Sequence, residues 1–585
     1  MKLSKKYFTL IAASAFTFFL PIQKVSAQEA LKSYEEEYYD FLSLQGKSER
    51  NYLNYRTLSD SVWEIDENNP WQNNQMRSLF TLFELKNPKS NYFLDGIYLG
   101  LTTEFYGPEW FNSYNTEYPF GVNDGAFWQG RGYNTSMTAG ARVEGFGFEL
   151  TIKPQVSFSQ NLEYEIMAST RGDGFGSYYA NCDAPQRFGD SSFWTYDWGD
   201  SEIRWSWRAF TIGFGTQSVW LGPNYLYPLM LSNNAATFPK LDIGIRKTPV
   251  TIPWINYYLG DFELRFMLGR LTESDYFYET NPTDPSKAES NGHNQYVLWA
   301  ASYAPSFIPG LTLGVNKVCI SNSGDDSWLS YLNPFYAQNK VAKKHGIYGE
   351  DQKISFTADY LLQKVGMEFY SEIGVDDYLD GGLDFYEYAR FPFHTMSYTV
   401  GLQQCITISE SKNLYGKINF EWNNTEPSQD YQMWGTYNFG THSQIKQGYT
   451  NRGQFLGSGI GYGGNSQHLS FTLYSPHGYD RFFIGRNNPD NAYIFGKCTT
   501  TDTATAAGKY FTAFKANFYL GAETMWFVWK GFTLDAAFAY NLVINPTYSP
   551  GYSYSGYFGK TLVDCYREKS YLNNFNFRLE LKYTF

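Results

Sequence analysis

The final twelve residues, Asn574 to Phe585, set the tightest limit on what this chain can fold into. Phe575, Phe577, Leu579, Leu581, Tyr583 and Phe585 share one parity; Asn574, Asn576, Arg578, Glu580, Lys582 and Thr584 share the other. Strand side chains alternate between faces, so this is a ribbon with one apolar face and one wholly polar face. Such a ribbon suits a soluble sheet wetted on one side, or a barrel with lipid outside and water inside. A tilted strand crosses a bilayer in about 9–11 residues, so the length allows the second.

Composition favours the barrel. The 51 Tyr, 48 Phe and 16 Trp make 20% of the chain aromatic, as expected if many strands carry rings at both membrane interfaces. Beyond the first residues no apolar run is long enough for a transmembrane helix, and a barrel needs none, because only alternate residues meet lipid. The chain also ends on Phe with an aromatic two residues earlier, which resembles the terminal strand of bacterial outer-membrane barrels. A net charge of −12 argues against nucleic acid, whose binding needs clustered Lys and Arg. The five Cys, at 182, 319, 405, 498 and 565, are scattered and form no C-x-x-C pair, which disfavours a metal cluster.

Residues 1–27 read as a secretory signal peptide: Lys2, Lys5 and Lys6, then an apolar core from Tyr7 to Ile22, then Val25-Ser26-Ala27 for cleavage. Residues 28–90 read as an N-terminal helical periplasmic element. Leu31, Tyr34, Tyr38, Phe41 and Leu42 form one helical stripe with Glu35 to Glu37 largely opposite. A second short helix is expected from Ser48 to Leu58. The unit is too small for its own core, so it docks on the near end of the barrel. Residues 91–585 read as the outer-membrane β-barrel. Phe262, Leu264, Phe266 and Leu268 alternate with Glu263, Arg265 and Met267; Ile418, Phe420 and Trp422 alternate with Lys417, Asn419 and Glu421. Counting such segments gives roughly 16 to 18 strands, with tight joins at one end and long polar loops at the other. Closure requires the last strand to pair with the first, expected at Tyr92–Tyr106.

Two stretches carry dense local signals. Between Tyr118 and Gly132, Asn123-Asp124-Gly125 precede Trp128-Gln129 and Arg131, a ring face beside polar donors of the kind that holds a sugar. The alternative is a packed loop that shapes the lumen. The second stretch is Trp220, Gly222 and Pro223 followed by Ser232-Asn233-Asn234 and Phe238-Pro239, rich in turn formers and apolar anchors.

Together with Tyr55-Arg56-Thr57-Leu58-Ser59-Asp60, these segments resemble the capsule-assembly Wzi family. The resemblance implies an all-β fold: a large antiparallel transmembrane β-barrel of about 18 strands with a small N-terminal α-helical element. It also implies lectin-like attachment of capsular or other surface polysaccharide to the cell exterior. Glycan contacts are expected in long external loops, at Trp328, Tyr331, Tyr431 and Trp434, with Trp128, Gln129 and Arg131 as further candidates. Each ring could instead belong to an interfacial aromatic belt.

The alternative readings are a diffusion porin and an outer-membrane enzyme that modifies glycan or lipid. The six His lie in no nucleophile motif, and the glycines of Gly457-Ser458-Gly459 touch the serine directly, unlike G-x-S-x-G. Acid pairs such as Asp325-Asp326 miss the order of a Ca²⁺ loop. No enzyme activity, cofactor or metal is therefore expected. Expected partners are surface polysaccharide, outer-membrane lipid and lipopolysaccharide, and the barrel-insertion machinery, with no nucleic acid and a monomeric state.

Overall fold

The computed structural model describes residues 27–28, 33–66, 68–74, 80–85, 97–166, 182–277, 293–322, 350–376, 393–426, 439–442, 445–489, 515–547 and 562–585. Eighteen antiparallel strands close into a barrel. The first quarter comprises β1 (Gly100–Asn115), β2 (Gly132–Gly145), β3 (Phe148–Ile152, resumed as Gln155–Ser159), β4 (Phe193–Asp197, resumed as Glu202–Trp207) and β5 (Phe210–Gly215). Next come β6 (Lys240–Ile252), β7 (Tyr257–Thr272), β8 (His293–Pro305), β9 (Leu311–Asn322) and β10 (Glu350–Leu362). Then follow β11 (Met367–Asp376), β12 (Met396–Ser409), β13 (Leu414–Asn424) and β14 (Asn465–Ser475). The last are β15 (Gly478–Asn488), β16 (Ala516–Trp529), β17 (Phe532–Ile544) and β18 (Tyr571–Tyr583). Tight turns such as Lys530-Gly531 join strands at one end, the periplasmic one in barrels of this kind.

The ring closes where β18 meets β1, from Asn576 opposite Asn115 to Lys582 opposite Glu109. The partner segment is thus Glu109–Asn115, which corrects the expected Tyr92–Tyr106. The shift has a local cause. The register of β1 against β2 slips between Tyr106 and Glu109, and β1 below the slip pairs with a separate short strand, Phe80–Glu84. The bend continues across the wall: β3 breaks after Ile152 and β4 after Asp197, with Lys153 bridged to Gly199. Gly199 has φ +56°, and a Cβ there would strike the Lys153 carbonyl oxygen, so the crease needs glycine.

Side-chain parity follows the alternation. Phe577, Leu579 and Phe420 are exposed on the outer wall, while Arg265, Lys417 and Glu421 are buried in the lumen. Putting Arg or Lys on the lipid face at mid-bilayer would cost about 2–4 kcal/mol each, which fixes the register of every strand together.

Helix α1 (Tyr34–Leu44) is capped by Ser33, whose hydroxyl accepts the Glu36 N–H at 3.2 Å. It sits in the periplasmic mouth of the lumen. Tyr38 stacks on Trp71 and Phe41 on Tyr474, and the cluster extends to Trp63, Tyr415 and Met525. The apolar stripe is buried as expected, but the opposite face is not in water: Glu35 and Glu36 are buried too. The mouth surrounds the helix, so its acids meet cations. Lys582 donates to Glu35 at 2.9 Å, Arg56 pairs with Glu36 at 2.9 Å, and Arg481 reaches Glu37. The second expected helix is absent. Tyr55–Arg56 is a two-residue strand and Leu58–Asp60 a 3-10 turn. Tertiary capture overrides propensity here, because the Glu263 carboxylate on β7 accepts the N–H groups of Leu53 and Asn54 at 2.7 and 3.0 Å.

Candidate functional site

Among the described residues, the stretches that enter the lumen include 45–63, 116–131, 216–239, and 439–442 with 445–463. The sequence signals lie on the first three of them, and the fold brings them together. Tyr55–Arg56 pairs antiparallel with Trp220–Leu221, and the Gly222 N–H donates to the Asn54 carbonyl at 2.8 Å. Gly222 has φ +101°, which that approach requires. The Asn123 N–H donates to Asn234 Oδ1 at 3.1 Å, and the Gly125 N–H to the Asn233 carbonyl at 2.8 Å. Ser232 Oγ donates to the Gly457 carbonyl at 2.6 Å, and Asn234 Nδ2 to the Phe455 carbonyl at 2.9 Å. Three motifs far apart in sequence are thus one hydrogen-bonded plug.

The plug has an apolar core against one wall. Leu221, Leu229, Met230, Leu231 and Phe238 pack with Tyr296, Leu298, Val318 and Ile320 from β8 and β9. Trp220 is fully buried and its Nε1–H donates to the Asn224 carbonyl at 2.9 Å. Pro223 opens the turn that follows, and the Pro239 carbonyl accepts the Arg270 N–H at 3.1 Å as the chain re-enters the wall.

Elsewhere the wall holds the plug through carboxylates, the residues that sequence reasoning missed as a group. Glu421 on β13 accepts the N–H groups of Tyr225, Leu226 and Tyr227 at 2.6, 3.0 and 2.8 Å, and the Tyr370 hydroxyl at 2.8 Å. Glu372 on β11 accepts the Leu229 N–H at 2.8 Å and the Asn224 side-chain amide at 2.5 Å. In the reverse sense, Asp60 of the first motif lies between the wall residues Arg246 and Arg265, both at 2.8 Å. Acids at lumen-facing strand positions were the available signal; what they bond to was not.

Of the sugar-binding candidates, Gln129 is buried and its amide donates to Asp124 at 2.8 Å. Trp128 is half-buried, edge-on to Phe188 at 5.0 Å. Arg131 donates to the Thr116 carbonyl at 2.9 Å and pairs with Glu117 at 3.0 Å, retaining 30% side-chain exposure. Trp328, Tyr331, Tyr431 and Trp434 lie outside the described residues.

Beside the plug is a polar cavity of about 310 Å³, lined among others by Glu109, Asp124, Arg481, Glu523, Asp535 and Arg578. Burial pushes the Asp124 carboxyl up to about 7, although the Gln129 amide and Arg578 both favour its charged form. A carboxyl raised in the folded state stabilises the fold below its unfolded value, and that contribution is lost as pH rises toward 7. Asp124→Asn is therefore expected to be more stable than the parent at pH 8, on the order of 1 kcal/mol, with the gap narrowing by pH 5. Thermal melts of both proteins at the two pH values check this.

A profile described as "Capsule assembly protein Wzi" matches residues 120–477, from the second of these motifs through β14. The chain belongs to the Wzi capsule assembly family. Its fold is similar to the solved Escherichia coli Wzi, whose report describes an outer-membrane protein involved in group 1 capsule assembly and a carbohydrate-binding β-barrel. The two share 12% identity over 82% of this chain and 84% of that one, with a TM-score of 0.52. Pseudomonas putida OprB (11% identity, 83% and 94% covered) and Pseudomonas aeruginosa OprD (8%, 83% and 95%) each superpose with a TM-score of 0.37. No curated protein matches the chain by sequence. This Wzi-family chain is an outer-membrane β-barrel, and the matched region contains two of its three plug motifs.

Proposed function

We propose that this barrel attaches capsular or other surface polysaccharide to the cell exterior in a lectin-like manner, and that it neither passes solutes nor catalyses a reaction. The observation that carries this reading is the plug. A diffusion porin needs a water-filled bore, whereas here the motifs cross the lumen and bond to one another and to the wall. The polymer is outside, so its contacts fall on the external loops, including Trp328, Tyr331, Tyr431 and Trp434. Rings there offer an apolar face to sugar C–H groups, and neighbouring amides bond hydroxyls. Trp128, Gln129 and Arg131 are further candidates, of which Arg131 keeps 30% side-chain exposure and Gln129 supports its loop. The barrel acts as a monomer in outer-membrane lipid and lipopolysaccharide, after delivery by the barrel-insertion machinery.

Deleting Asp325–Tyr331 and, separately, Gln429–Trp434 tests the assignment, with folding checked by heat-modifiable gel migration. At least one deletion is expected to release most cell-bound polysaccharide. If both variants fold and retain as much polymer as the parent, these loops are not the binding site.

A further inference from the structure

The outer wall carries a polar strip with a cation at its centre. Arg486 lies two residues from the extracellular end of β15 and shares the outward parity of Phe482 and Ile484, which are 60% and 55% exposed. Opposite it on β14, Gln467 shares the parity of the exposed Leu469. Arg486 Nη1 donates to Asn465 Oδ1 at 2.7 Å and to Gln467 Oε1 at 2.9 Å. Asn424, opposite Asn465 on β13, extends the strip and donates to the Tyr398 hydroxyl at 3.1 Å, above the exposed Trp422. Among the described residues no carboxylate forms an ion pair with Arg486. The Glu426 carboxylate is engaged with Asn465 Nδ2 instead.

Height sets what this cation meets. Eight residues separate Arg486 from Gly478 at the periplasmic turn. At about 3.3 Å per residue and a tilt of about 40°, that is a rise of roughly 20 Å within an apolar band about 25 Å tall. Arg486 therefore stands near the extracellular edge of the band, with Ile484, Phe482, Leu469 and Leu520 in lipid beneath it. A half-buried guanidinium without a counter-ion is costly beside hydrocarbon unless an anion completes it. Two amide oxygens fix its orientation and leave its remaining N–H groups for a phosphate.

We propose that Arg486, with Asn465, Gln467 and Asn424, binds the phosphorylated headgroup of an outer-leaflet lipid. The phosphate meets the guanidinium, the amides meet headgroup hydroxyls, and the acyl chains lie on Ile484, Phe482 and Leu520. The site is on the outer wall and independent of polysaccharide capture by the loops.

The test equilibrates the purified barrel in detergent with bisphosphorylated lipid A or its dephosphorylated form, and counts retained lipid by native mass spectrometry. The bisphosphorylated form is expected to be retained about tenfold better, and Arg486→Gln to lose about that factor, as for one charge-assisted bond. Arg270→Gln is the control: this cation also faces outward near the extracellular end of β7 but is exposed and, among the described residues, has no such amide bracket. Equal retention by Arg486→Gln, equal binding of the dephosphorylated lipid, or an equal loss in Arg270→Gln overturns the proposal. Displacement of the lipid by millimolar inorganic phosphate shows a site for the free anion and overturns the lipid assignment.

Discussion

Replacing Glu421 and Glu372 together by alanine is expected to turn a closed barrel into a conducting one. The two carboxylates receive four backbone N–H groups from residues 225–229, a side-chain amide and a tyrosine hydroxyl. Each bond to these buried carboxyl groups contributes about 0.5–1.5 kcal/mol, and a buried N–H left without a partner costs about 1–3 kcal/mol more. Losing both anchors should therefore exceed about 5 kcal/mol locally, comparable to the stability of a small domain. The wall itself is held by strand pairing that neither substitution touches, so the barrel should still migrate as a folded, heat-modifiable species. Single-channel recording in planar bilayers reads the result. The parent should show little steady current and the double variant large, noisy openings as the 216–239 segment leaves the lumen. A double variant as silent as the parent would show that other contacts hold the plug.

Asp60→Ala should free the N-terminal segment at a cost of about 3–5 kcal/mol, because it strips one carboxylate from between two arginines. Arg265 is buried and keeps the Tyr55 ring at 4.8 Å with Asp242 at 3.8 Å and Glu263 at 3.7 Å, while Arg246 loses its 2.8 Å partner. Burial alone would raise the Asp60 carboxyl, but Arg265, Arg246 and Arg204 outweigh it and hold the group well below the usual carboxylate range. A depressed carboxyl contributes stability that is present above its unfolded value, near pH 4, and is lost as pH falls further. The parent should therefore release residues 45–63 to protease on strong acidification, whereas Asp60→Ala should release them already at neutral pH. Limited proteolysis across that range, with barrel integrity followed by gel migration, distinguishes the two.

Period-two alternation makes the wall legible in the sequence. Phe420 and Glu421 are neighbours with opposite fates, one at 37% exposure in lipid and the other fully buried, and only strand geometry separates them. The stripe Tyr34, Tyr38, Phe41 and Leu42 likewise marked α1. Its acids misled, because charge signals water only where water is adjacent, and here Lys582 and Arg481 of the wall and Arg56 of the 45–63 stretch take its place. Ser48–Leu58 failed as a helix because Glu263 and the Trp220–Leu221 ribbon use its backbone groups, and no local pattern encodes that competition. The three motifs were visible as turn-rich, anchored segments. Their mutual bonds span more than a hundred residues, as from Asn123 to Asn234, and periodicity carries no information at that range.

The bond from Lys582 to Glu35 joins residues 547 positions apart. Lys582 also lies in the stretch of β18 that seals the ring against β1. One residue thus takes part both in shutting the wall and in seating the helix that stoppers its mouth. A change at Lys582 is therefore felt at the seam and at the stopper together, through its pairing opposite Glu109 and its bond to Glu35.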